Sequence, residues 1–149
     1  MKWSLLVLFG AALVALLLTA SGCAVARPFS KPPPSAPREA DAEVLVVVTH
    51  AVIRDARREV FDDYVDRLVE LMDAAKVDGL LGFSIRKQLL GTEVWTLTVW
   101  RDRDALAAFM RSGLHVEAIR EAGDAVASLR SHHFMAAPER APSWQPALA

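Results

Sequence analysis

"TVWRDRDALAAFMRSGLHVEAIREAG", running from Thr98 to Gly123, decides how the rest of the chain is read. An apolar strand ends at Trp100, and Asp102 stands where a carboxylate can cap a short helix bearing Leu106, Phe109 and Met110. Ser112-Gly113 interrupts that helix, and His115 to Ala122 makes another turn or two before Gly123. His115 shares a helical face with Ala118, Ile119 and Ala122, so the spacing predicts an inward ring. Close to a helix N-terminus the dipole disfavours imidazolium, which keeps the ring neutral and able to act as a base or ligand. Two readings of His115 stand open: a pocket-facing group, or a partly buried histidine hydrogen-bonded to backbone where the chain breaks at Gly113.

Moving towards the N-terminus, "EVWTLTVW" (Glu93 to Trp100) and "LLGFSIRKQL" (Leu80 to Leu89) alternate apolar and polar residues across the turn Leu90 to Thr92, the pattern of an antiparallel hairpin. Leu81, Phe83 and Ile85 are expected on one face, Ser84, Arg86 and Gln88 on the other. Trp95, Leu97 and Val99 are expected against the helices, leaving Trp100 with Thr96 and Thr98 on the more polar face, at a cavity or a seam between subunits. Asp55 to Lys76 carries a helical stripe of Phe61, Tyr64, Val65, Leu68, Leu71, Met72 and Ala75, with Asp55 as its cap and Gly79 past its end. "EVLVVVTHAVI" (Glu43 to Ile53) is a continuous β-branched run, read as a buried strand. "SLRSHHFMA" (Ser128 to Ala136) closes as the fourth strand. The order is β-α-β-β-α-β, an α+β, ferredoxin-like antiparallel sheet with helices on one face. Val44, Val46 and Val48 load the other face, and a second copy of the sheet is its expected cover.

The chain of 149 residues is 53% hydrophobic with a formal net charge of −1, too little positive charge to favour nucleic acid. Much of the apolar content lies in "WSLLVLFGAALVALLLTASGCAVA" (Trp3 to Ala26), which has the form of a secretory signal. "ASGC" (Ala20 to Cys23) resembles a bacterial lipoprotein signal, although that family prefers Leu where Ala20 stands. The resemblance implies a signal peptide at 1–22 and a diacylated Cys23. Ala24 after the cysteine then implies sorting to the outer membrane, facing the periplasm. The alternatives are cleavage after "AVA" (Ala24 to Ala26), giving a secreted or periplasmic protein, and an uncleaved anchor. Residues 23–42 hold five prolines within Arg27 to Glu43 and are expected to form an extended tether. Residues 43–137 form the domain and 138–149 a loose Pro/Ala-rich tail.

The run from Thr98 to Ile119 resembles the dimeric α/β barrel superfamily that includes the antibiotic biosynthesis monooxygenases, in a branch near spheroidene monooxygenase. That resemblance implies a homodimer built through sheet faces, a pocket-facing His115, and haem as one candidate ligand. Haem-degrading relatives use an Asn on the first strand, a Trp late in the short helix and a His on the next. Here Phe109 and Ile119 fall at the latter two positions, and the chain contains no asparagine. A haem degrader of that type is therefore not expected. Quinone-forming relatives also lean on Asn and Trp, and Trp100, Trp95 and Arg86 are what this sequence offers instead.

The candidate site is thus His115 in a catalytic role, with Trp100, Phe109 and Arg86 as ligand contacts, Cys23 as the lipidation site and no metal. His132 and His133 alternate across a strand and cannot converge with His50 on one ion. "RDARRE" (Arg54 to Glu59) reads as a solvated face. Neither a phosphate-binding glycine loop nor a nucleophile elbow is present. Two functions remain: a monooxygenase-like enzyme acting on a small apolar molecule in the cell envelope, or a non-catalytic dimeric binding or scaffolding module.

Overall fold

A computed structural model describes residues 24–29, 43–74, 77–137 and 144. The signal segment with Cys23, the proline-rich residues 30–42, Ala75, Lys76 and most of the tail lie outside them. Among the described residues no helix is long and apolar enough to cross a membrane.

The elements are β1 (Ala24–Ala26), β2 (Val44–Ile53), a 3-10 turn at Asp55–Arg57, α1 (Arg58–Asp73), β3 (Leu80–Gln88), β4 (Glu93–Trp100), α2 (Arg103–Met110), α3 (Gly113–Ala122), a second 3-10 turn at Gly123–Ala125, and β5 (Val126–Ala136). They form one antiparallel sheet in the order β1-β3-β4-β2-β5. The expected β-α-β-β-α-β order is present, with the second helix split in two. A fifth strand is added at the edge, where Ala24–Ala26 pairs with β3.

β2 is apolar apart from Thr49 and His50 because both of its faces are covered over most of its length. On the inner face Leu45, Val47, Ala51 and Ile53 meet Val65, Val69 and Met72 of α1, with Phe83, Ile85, Val94 and Trp100 from the neighbouring strands. On the outer face Val44, Val46 and Val48 join Leu97 and Val99. Its cover within the chain is Phe29 and Trp144, together with Leu81 and Phe134.

The parity of β4 is as the alternation implies, but its two faces are exchanged. Trp100, 1% exposed, points to the helices, while Leu97 and Val99 point outward and Trp95 shares their parity. Alternation fixes which residues go together and not which side they take. A threonine is tolerated on the inner face because Thr98 Oγ1 accepts the indole N–H of Trp100 at 2.9 Å. β3 departs from strict alternation too. Its register shifts between Leu80 and Gly82, so Leu80 packs inward and Leu81 outward, apart from Phe83 and Ile85.

α1 begins at Arg58 without a side-chain cap. Asp55 opens the preceding 3-10 turn instead, its carboxylate 3.4 Å from the Arg58 guanidinium. Gly79 serves the entry to β3 and not the helix end. Its φ is 74°, and a Cβ there would lie 2.4 Å from that of Ala105. Asp102 caps α2 as expected, accepting from the Ala105 amide at 2.7 Å.

Candidate functional site

Three elements bring the site together. β4 supplies Trp100 on the inner face, α2 supplies Phe109, and the first turn of α3 supplies His115. The rings follow one another: Trp100 and Phe109 are 5.1 Å apart between centroids, and Phe109 and His115 5.0 Å, both pairs tilted. The break after α2 creates this arrangement. Ser112 accepts from the His115 amide at 3.3 Å, and this cap starts α3 so that His115 falls back towards Phe109. Tyr64 of α1 pins the same turn by donating its hydroxyl to the Leu114 carbonyl at 2.9 Å. Ala118 and Ala122 pack on Tyr64, whereas Ile119, expected to point inward with them, is 59% exposed. Small residues let α3 approach α1 closely, and that close approach rotates Ile119 outward.

The His115 side chain is half-buried, and its Nδ1 is sealed from solvent with no hydrogen-bond partner. The backbone bond that a satisfied core histidine would make is therefore missing at this atom. Burial pushes the imidazole below its ordinary value of 6.5, so the ring is neutral near pH 7. Burial likewise raises the Tyr64 phenol.

Beside the rings lies a cleft of about 300 Å³. Leu71, Val77, Ala108, Phe109 and Leu114 form its apolar walls, and Asp78 and Ser112 are its polar groups. The Asp78 carboxylate is held by Arg101 at 3.3 Å. Phe109 belongs to both cleft and ring series, with His115 on its flank. The sequence signalled Leu71 through its helical stripe; it carried no signal for the loop residues Val77 and Asp78.

Arg86 is elsewhere. It lies on the outer face with its guanidinium over the Trp95 ring at 5.4 Å. Trp95 in turn stacks on His50 at 4.9 Å and 7°, and His50 Nε2 is 3.5 Å from a Glu93 carboxylate oxygen. The expected ligand set is thus divided by the sheet, Trp100 and Phe109 on one side and Arg86 on the other. His132 and His133 oppose Val48 and Val47, hence opposite faces. No group of three or more His, Cys, Asp or Glu gathers for a metal among the described residues. Chemically, the cleft offers an aromatic, apolar wall with Ser112 and Asp78 as its polar groups, and the neutral His115 ring lies behind Phe109. That suits binding of an uncharged molecule with one directed polar contact.

Residues 46–121, half of the chain, match the family model described as antibiotic biosynthesis monooxygenase. Solved structures share the fold. One, from Caulobacter crescentus CB15 and provisionally assigned as an antibiotic biosynthesis monooxygenase, is 18% identical over 64% of this chain and 91% of its own, with a TM-score of 0.57. A conserved protein from Methanosarcina mazei Go1 gives 16%, 62%, 92% and 0.56. A protein from Lactobacillus acidophilus NCFM, provisionally assigned as a monooxygenase, gives 16%, 66%, 49% and 0.57, so this chain spans about half its length. At these identities the likeness is one of fold. No curated protein matches the chain.

Proposed function

The chain belongs to the antibiotic biosynthesis monooxygenase family, and from that premise we propose that it is a lipid-anchored envelope protein that binds a small apolar molecule in the cleft beside Phe109. The observation that carries the binding reading is the apolar cleft walled by Leu71, Val77, Phe109 and Leu114, with the His115 ring packed behind Phe109. The cleft, at about 300 Å³, is at the low end of small-molecule sites, which favours a ligand smaller than haem. Binding, with oxidation of the bound molecule as its extension, is the family-level activity that the residues support. The scaffolding alternative predicts no ligand at all. Titration calorimetry with a panel of small quinones and phenols tests the reading: saturable binding in the wild type and its weakening in His115→Phe, which unseats Phe109, are expected.

The lipid anchor is supported by the pairing of Ala24–Ala26 with β3. Processing before Cys23 preserves that strand; processing after Ala26 would delete it. A homodimer through the outer face is supported by the continuous band of Val44, Val46, Val48, Leu97 and Val99. Phe134 of the edge strand β5, opposite Val46, extends the same band.

A further inference from the structure

We propose that the tip of the β3–β4 hairpin is a membrane-docking surface, so that the domain lies directly against a bilayer. The proposal rests on the lipid-anchor reading and adds where the domain sits.

The residues that follow Cys23 do not leave the domain. Ala24 opposes Gln88 and Ala26 opposes Arg86. The Arg27 amide donates to the Ile85 carbonyl at 2.8 Å, and its carbonyl accepts from the Ser84 hydroxyl at 2.6 Å. The Arg27 guanidinium pairs with Asp73 at 2.7 Å. Cys23 is one peptide from Ala24, about 3.8 Å between Cα atoms, and Ala24 opposes the residue just before Leu89. An acyl group on Cys23 therefore enters the bilayer beside the hairpin tip. The lipid then joins the domain through β1, ahead of residues 30–42 in the chain.

The tip has the surface for this. Leu89 and Leu90 are 59% and 64% exposed, and Val25 on the adjoining strand is 57% exposed. Single exposed apolar residues are ordinary; two successive leucines at a turn, where small polar residues are usual, adjoin the point where the lipid leaves the chain. Charge adds little. Arg54, Arg57 and Arg58 lie at this end of the sheet, with Arg58 bonded to the Gly91 carbonyl, but Asp55 and Glu59 among them offset most of that charge. The occupant is thus a bilayer held by apolar insertion, with no requirement for anionic headgroups.

The test uses the full chain matured in membranes, extracted in mild detergent and returned to phosphatidylcholine vesicles. An environment-sensitive dye is placed at Leu90→Cys or at Arg103→Cys, an exposed position at the opposite end of the sheet; acylated Cys23 presents no competing thiol. The mass of the N-terminal peptide is read on the same sample. The expected result is an acylated Cys23 with blue-shifted emission and quenching by headgroup-level quencher lipids at position 90 and neither at 103. An acylated chain whose dye is equally water-exposed at both positions overturns the docking surface and leaves the anchor standing. A mature chain beginning at Arg27 overturns both.

Discussion

His115 carries a stability that depends on pH, and the sign follows from its burial. Its folded pKa lies below the unfolded value near 6.5, so the unfolded chain takes up the proton first as the pH falls. The stability this residue contributes is complete above pH 6.5 and is lost as the pH drops through the folded value. Thermal melts between pH 7.5 and 5 are expected to show that decline, and His115→Phe to flatten it. Because Nδ1 has no partner to lose, the same change should raise stability near neutral pH by about 1 kcal/mol; a clear loss would mean that the imidazole is satisfied. Gly79 makes an opposite case. Its φ of 74° and the 2.4 Å approach to Ala105 mean that Gly79→Ala adds both backbone strain of about 1–2 kcal/mol and a clash. Urea unfolding should show a lower midpoint by at least that amount. The inward direction of His115 was legible in the helical spacing. The missing hydrogen bond was not, since it depends on what the surrounding turns leave within reach.

At the scale of elements, caps and alternation behave differently as signals. Asp102 was readable from sequence as a cap because the interaction is local. The Ala105 amide and the Arg101 guanidinium hold its carboxyl below the usual carboxylate range. Asp102→Ala should destabilise the domain by about 1 kcal/mol, and the wild-type advantage should disappear as the pH falls through the carboxylate range, checked by denaturation at pH 7 and pH 3. Asp55 looked equally suitable, but a 3-10 turn intervenes before α1 and takes the residue out of capping position. The faces of β4 were not legible, because Thr96 and Thr98 mimic a solvent face until the Trp100 indole is seen to use one of their hydroxyls. Leu81 was misplaced for the same kind of reason: a bulge is a two-strand property. β1 went unread because Ala-Val-Ala also has the form of a processing site, and an edge strand of three residues has no period.

For the whole molecule, the proposed dimer would engage the outer face of the sheet. Phe29 and Trp144 lie on it in the single chain, with the Trp144 indole donating to Ser84 at 3.1 Å, so pairing of two sheets must move them. Sedimentation should report a dimer whose dissociation constant tightens in Trp144→Ala; a monomer at every concentration would remove the sheet-to-sheet dimer. The central claim, however, is the ligand cleft, and native mass spectrometry of the full chain purified from its own cells tests it most directly. Ala108→Trp fills the cleft from its exposed rim without entering the core. The wild type should carry a bound small apolar molecule that Ala108→Trp lacks. A wild type free of any adduct, or an adduct that survives in Ala108→Trp, would contradict the assignment of this cleft as the binding site.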